Sequence, residues 1–391
     1  MRILAIETSC DETALSVIEA RGSVVRPEFK ILSNVVASQI ALHAQYGGVF
    51  PMMAKREHAK NIVPLLCEVL RASGLEKTSK KKTVIPEKVR ALLEREPELT
   101  EKFEEYLGNI TKPKIDLIVV TRGPGLEPTL WVGINFARAL SKLWDMPILG
   151  ANHMEGHAIS PLISALLVGK KSSLEKKIAF PSLALLVSGG HTEIVEMRDW
   201  AHYKIRGATR DDAAGEAFDK VARMLKLPYP GGPEISKLAK LGKENARVKL
   251  PRPMINSKDF DFSFSGLKTA VLYLIRDLGG IEKINIQTKR DIALEFQNAV
   301  VDVLISKTIK AGKKYKSKSI LVGGGVAGNR ELRARLTQAG IDNNIPVFFT
   351  TPELATDNSV MIGMAGYFSY LKKGRADNTD KIKAEGNLKL K

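Results

Sequence analysis

Short apolar runs that end on small or polar residues, separated by stretches of helical period, constrain this chain to an α/β fold. RILAIETS at 2–9, KIDLIVVTRGPG at 114–125, LALLVSGGHTEIVEM at 183–197, SILVGGG at 319–325 and PVFFT at 346–350 read as strands. GINFARALSKLWD, GEAFDKVARMLK and DIALEFQNAVVDVLISKTIKA read as helices. At 391 residues the chain is long for one core and suits two lobes. The expected division is an N-terminal lobe over 1–175, a C-terminal lobe over 176–355, a helix over 356–372 returning to the first lobe, and a tail over 373–391. Residues 76–112 break the alternation, because KTSKKK is followed by VRALLEREPELTEKFEEYL, charge-laden and without a strand. They read as an inserted, partly helical surface segment. The tail, with seven basic and three acidic residues from Lys372 onward, reads as disordered.

No apolar run approaches the roughly eighteen residues of a membrane span, and MRILAIETSC passes from a charge-poor strand directly into a polar turn. A cytoplasmic protein without membrane association is expected. Cys10 and Cys67 are too few for a disulfide framework. Sixty Lys and Arg against 43 Asp and Glu leave a net charge of +17, which favours a polyanionic partner such as RNA or a nucleotide. The surplus is densest in 77–82, in 310–318 and in the tail.

Three strands end in turns able to hold phosphate through backbone N–H groups. The first, IETSCDETALSV, offers the hydroxyls of Thr8, Ser9 and Thr13 and the carboxylates of Asp11 and Glu12. The second is the Ser188-Gly189-Gly190 hairpin, and the third is LVGGGVAGNRELR. Gly323, Gly325 and Gly328 in the third satisfy G-x-G-x-x-G, with Glu353 placed like the ribose-binding acid of a dinucleotide fold. Too little chain follows to supply the further βαβ units such a domain needs.

His153 and His157 in NHMEGHAISPLI lie four residues apart, a spacing that turns both imidazoles to one face of a helix. The best third ligand is Asp357, about two hundred residues on at the head of a small-residue apolar helix. Two histidines and one carboxylate leave positions on a metal open to substrate. Glu155 sits two residues from each histidine, about 200° round a helix, and so cannot serve as the base of a zinc protease.

Hairpin turns near the N-terminus and mid-chain, followed by a late strand–Gly-Gly-Gly–helix turn, resemble the two-lobed actin-like ATPase and sugar-kinase (RNase H-like) fold. In that fold the nucleotide sits in the inter-lobe cleft. IETSCDET, HMEGHAISPL, VSGGHTEI, DDAAGEAFDKVARMLKLPYPGGP, DFSFSGLKTAV, GGGVAGNRELR and TPELATDNSVMIG occur in that order. Together they resemble the tRNA N6-adenosine threonylcarbamoyltransferase family over nearly the whole chain except 76–112 and the tail. The resemblance implies transfer of threonylcarbamoyl from threonylcarbamoyl-AMP to N6 of the adenosine just 3′ of the anticodon (position 37), with release of AMP. It implies one divalent metal per subunit in the cleft, assigned in the family as Fe2+ with Zn2+ the alternative, on His153, His157 and Asp357. Substrate contacts carry over to Leu186, Val187, Ser188, Gly189 and Gly190 in the hairpin, Asp219 toward the ribose, Gly232 by its backbone, and Asn329 near the adenine. Asp11 is the candidate base for the attacking amine and Glu12 its alternate.

Where the archaeal and eukaryotic branch has Tyr before V-S-G-G and Asn after it, this chain has Leu186 and His191, which matches the bacterial branch. Ser236 stands where the other branch offers an acid. The partners implied are tRNA, an upstream adenylate synthase, a paralogue (TsaB) and an ATPase (TsaE). The competing functions are a metalloprotease, an ATP-driven kinase or chaperone-like ATPase of the same fold, and a non-catalytic paralogue; retention of all three metal ligands argues against the last.

Overall fold

The computed structural model describes residues 1–167 and 178–390, and the chain divides into two compact units. The first comprises Met1–Leu42, Val49–Ile159 and Asp357–Leu390. Its five-stranded sheet has the order β3-β2-β1-β4-β5, with β1 Arg2–Glu7, β2 Glu12–Gly22, β3 Pro27–Ser38, β4 Leu117–Gly123 and β5 Ile148–Asn152. β1 pairs antiparallel with β2 and parallel with β4, β2 antiparallel with β3, and β4 parallel with β5. Ile3, Leu4, Ala5 and Ile6 are all fully buried, because helices cover both faces of the sheet. On one face Leu4, Ile6, Val17, Ile118 and Val120 pack into a core with the helices Pro51–Ala72 and Glu127–Trp144. On the other lies the helix Ser359–Lys373, which packs against β1, β2, β4 and β5.

The second unit comprises His43–Gly48 and Ser160–Thr356. Its sheet has the order β10-β9-β6-β7-β8, with β6 Ser182–Val187, β7 Thr192–Asp199, β8 His202–Ala208, β9 Ser319–Gly323 and β10 Val347–Phe349. Here β6 pairs antiparallel with β7 and parallel with β9, β7 antiparallel with β8, and β9 parallel with β10. Both units thus carry the same plan: an antiparallel three-strand meander whose first strand continues into two parallel neighbours. This is the α/β architecture that the alternating strands and helices of the sequence lead one to expect. β10 is the last strand of its sheet, so the G-x-G-x-x-G turn after β9 opens no dinucleotide-binding domain. The side chain of Glu353 lies outside the described residues.

Two segments differ from expectation. Residues 76–112 are not merely surface. Val89, Leu93, Leu99, Phe103, Leu107 and Ile110 are buried in the core of the first unit, and the Phe103 ring meets Phe136 edge-on at 5.8 Å. The helix Pro97–Leu107 turns Leu99, Phe103 and Leu107 inward at four-residue spacing while its glutamates face water. The tail is ordered over 373–390. Asp377 donates its backbone N–H to Ile148 O at 2.9 Å and accepts from Gly150 N at 3.0 Å, closing the free edge of β5. Asp380 pairs with Arg138 and Lys142, and Ile382 and Leu390 are buried. Composition misled because the tail's few acids and apolar residues are the ones that dock. Among the described residues no helix is long and apolar enough to cross a membrane.

Candidate functional site

β5 ends at Asn152, whose side-chain oxygen accepts from Met154 N at 2.8 Å and Glu155 N at 3.3 Å and so starts the helix His153–Leu167. His153 and His157 follow on its first turns with ring centroids 4.6 Å apart. Asn358 caps the helix Ser359–Lys373 by accepting from Met361 N at 3.0 Å, and Asp357 precedes that cap. The two helices approach closely because residue 156 is glycine; a Cβ there would stand 2.9 Å from Met361 Cγ. Asp357 Oδ1 consequently lies 3.3 Å from His153 Nε2 and 3.1 Å from His157 Nε2. One ligand atom from each of the three residues falls within 4.8 Å of the others, close enough to share one cation.

The residues around this cluster fit a metal. Glu7, fully buried at the end of β1, accepts from His153 Nδ1 at 3.1 Å, from Thr121 Oγ1 at 2.6 Å and from Ser9 N at 2.5 Å. With Nδ1 protonated toward Glu7, the Nε2 lone pair of His153 points to Asp357 and is available to a cation. Burial pushes the Asp357 carboxyl up, but His153 and the hydrogen bonds from both histidines outweigh it and hold it far below the usual carboxylate range. Burial likewise disfavours the His153 cation, yet Asp357 and Glu7 hold its pKa well above the ordinary value. Glu12 is pushed up to about 10 by burial, then by the charges of Asp357 and Asp11. Burial, and then the same acids, raise the Cys10 thiol. Four carboxylates against two imidazoles make a site short of positive charge, which a divalent cation would supply.

The N-terminal turn is built inward rather than as a phosphate loop. Thr8, Ser9 and Thr13 are buried: Thr8 Oγ1 donates to Thr129 O at 3.0 Å, and Thr13 Oγ1 lies 2.7 Å from His58 Nδ1. His58 Nε2 in turn donates to Cys10 O at 2.9 Å, so this buried histidine braces the turn that carries Asp11 and Glu12. Glu7 and His58 were not singled out from sequence. Glu7 is the last residue of an apolar strand, a position where a buried acid needs a partner, and that was the available signal. Glu155 is set apart from the cluster: burial pushes its carboxyl up to about 7, partly offset by Lys372, Lys373 and Arg122.

In the second unit Leu186 and Val187 are buried in β6, and the Ser188–His191 turn is closed by Ser188 N donating to His191 O at 2.8 Å. Around Gly189, Gly190 and Gly232 an added Cβ would meet nothing within 4 Å, so ligand could reach the backbone at each. Gly215, at the start of the helix Ala214–Met224, packs against Ser188 and Gly189. Asp219 on that helix accepts from Gly231 N at 2.7 Å and caps the helix Gly231–Ala239. Asn329 caps the helix Arg330–Asp342 through Leu332 N, and its Nδ2 donates to Ser236 Oγ and Gln297 Oε1, each at 3.0 Å. The hairpin, Asp219, Gly232 and Asn329 are therefore joined by a continuous set of contacts, while Asp219 and the Asn329 amide already hold structural bonds. Gly324, with φ +93°, would bring a Cβ to 2.4 Å from Val187 O, so only glycine fits there.

A sequence profile described as TsaD, tRNA N6-adenosine threonylcarbamoyltransferase, matches residues 30–85 and 77–364. The chain belongs to the tRNA N6-adenosine threonylcarbamoyltransferase family. It is a transferase. A family member of that name from Staphylococcus haemolyticus is 41% identical over 388 residues, covering 99% of this chain and 96% of its own length. One from Thermosipho africanus is 42% identical over 390 residues, covering both chains completely. A crystal structure of full-length HypF in its phosphate- and nucleotide-bound form superposes with a TM-score of 0.52 at 12% identity, covering 95% of this chain and 56% of that one, which is a likeness of fold.

Proposed function

We propose that this protein transfers the threonylcarbamoyl group of threonylcarbamoyl-AMP to N6 of the adenosine just 3′ of the anticodon, in tRNAs that read codons beginning with adenine, and releases AMP. The observation that carries the reading is the convergence of His153, His157 and Asp357, with His153 oriented by Glu7, in a chain of this family. Two imidazole nitrogens and a carboxylate oxygen suit iron(II), with zinc the alternative. Such an ion, when bound, supplies Lewis-acid polarisation of the carbamoyl carbonyl.

The remaining work falls to the chain's own residues. The N6–C bond forms as the bond from the carbamoyl carbon to the AMP phosphate oxygen breaks, and AMP leaves as an anion that needs no proton. The proton that must leave N6 goes to Asp11. Glu12, the next residue, is the alternate acceptor. The adenylate lies against backbone at Leu186, Val187, Ser188, Gly189, Gly190 and Gly232, with Asp219 toward the ribose and Asn329 near the adenine. Partners of this reaction are an upstream synthase of the adenylate, the paralogue TsaB and the ATPase TsaE, in the cytoplasm.

Reconstitution with the synthase and both partners, followed by mass spectrometry of tRNA nucleosides, tests the reading. His153→Ala and Asp357→Ala should lose bound metal and abolish modification while retaining the far-UV spectrum. Stoichiometric metal with full modification in both variants overturns it.

A further inference from the structure

Residues 303–330 contain seven basic residues and no acid: Lys307, Lys310, Lys313, Lys314, Lys316, Lys318 and Arg330. This is unlike the other two basic runs. The 76–112 segment balances nine basic residues with eight acidic ones, and the tail's acids dock it to the first unit. Lys307 is buried and occupied, its Nζ donating to Ser257 Oγ at 2.7 Å. By contrast Lys313, Lys314, Lys316 and Lys318 are exposed, and among the described residues no acidic side chain pairs with any of them.

Their setting is more than a solvated helix end. The helix Ile286–Lys314 finishes at Tyr315, and Arg206 lies over the Tyr315 ring at 4.3 Å while Lys314 sits 5.2 Å from the Phe260 ring centre. Arg206 comes from a bulge in the edge strand β8 and pairs there with Glu196, the β7 residue directly opposite Lys204. Lys316 is fixed in a left-handed turn at φ +52°, and Lys318 is tied by its N–H to Pro181 O at 2.8 Å. The turn therefore holds its lysines in a fixed arrangement beside an aromatic shelf. Two lysines would suffice to answer the helix dipole, and Lys316 and Lys318 lie beyond it. An unpaired cationic strip with a cation-backed aromatic is the surface that meets a nucleic-acid backbone.

We propose that this strip, Lys204 with Lys313, Lys314, Lys316 and Lys318, binds the phosphate backbone of an RNA duplex: the body of the tRNA, away from the anticodon loop. The position decides the part of the RNA. Gln297, bonded to Asn329, and Lys314 lie on one helix seventeen residues apart, about 25 Å at 1.5 Å per residue. A contact so far from the adenylate-binding turns of the same unit meets the stem arms rather than the target base. The inference rests on the reading that tRNA is the substrate.

The test compares wild type with a quadruple variant carrying Lys313→Gln, Lys314→Gln, Lys316→Gln and Lys318→Gln, titrating full-length tRNA and an isolated anticodon stem-loop across a salt series. For full-length tRNA the log–log salt slope should fall by about 0.9 for each duplex phosphate that the variant no longer neutralises. Stem-loop binding and metal content should match wild type. An unchanged slope for full-length tRNA overturns the strip, as does equal weakening toward the stem-loop. So does a variant that loses only binding to phosphatidylserine vesicles. Wild type that binds neither RNA even when reconstituted with TsaB and TsaE removes the functional reading itself.

Discussion

His153 can bind a cation through Nε2 only while its other nitrogen keeps a proton, and Glu7 is the residue that keeps it there. Glu7→Gln preserves shape and removes the charge, so it should weaken Co2+ or Zn2+ binding by roughly 10–100-fold with little change in fold. Calorimetric titration of the metal-free protein measures this, and unchanged affinity would remove Glu7 from the site. Glu12 gives a second residue-scale expectation. Its folded-state pKa of about 10 lies above the ordinary 4.5, so the native state favours the protonated acid. That stabilisation is complete below about pH 4.5 and is lost as pH rises toward 10. The Tm of the metal-free protein should fall over that window, and Glu12→Gln should flatten the fall. The histidine pair was legible because i,i+4 spacing is a local property of a helix. Glu7 and His58 were not, because what gives each its role is a partner more than forty residues away.

At the scale of elements, strands ending in glycine-rich turns were legible from apolar runs, whereas β3 and β8 were not. Both are half-exposed strands whose polar faces dilute the signal. The helix Pro97–Leu107 shows the same effect in another form: its buried stripe was present in the sequence but hidden among glutamates. Phe103→Ala should cost about 3–5 kcal/mol in urea unfolding, since the ring is fully buried against Phe136. A cost within about 0.5 kcal/mol would mean that the segment is surface after all. The two glycines of the second unit separate by the same reasoning. Gly324→Val must strain φ +93° and meet Val187 O, so a loss of nucleotide binding there would report misfolding. Gly189→Val enters open space, and it should lower adenylate affinity without lowering Tm. Unchanged affinity by calorimetry would take the hairpin out of the adenylate site.

For the whole molecule, the path of the chain ties its last residues to the metal helix. After the helix Ser359–Lys373 the tail lies along β5, the strand that delivers Asn152 and His153. Asp377 makes two hydrogen bonds to that edge, Lys389 O accepts from Asn152 Nδ2 at 3.3 Å, and Ile382 is 2% exposed. No local pattern in the tail announces this, since the docking acids and apolar residues are few and their partners lie more than two hundred positions earlier. Ending the chain after Gly374 removes, among other contacts, the burial of Ile382, worth roughly 1.5–3 kcal/mol, and the two hydrogen bonds of Asp377, about 1 kcal/mol each. A loss of roughly 3–5 kcal/mol is expected in chemical unfolding, together with weaker metal binding, because the Asn152 cap then loses one of its supports. If the truncated chain unfolds at the same denaturant concentration as the full one, the tail's contacts contribute nothing to stability. If stability falls while metal affinity holds, the tail supports the edge of the sheet but not the centre built on it.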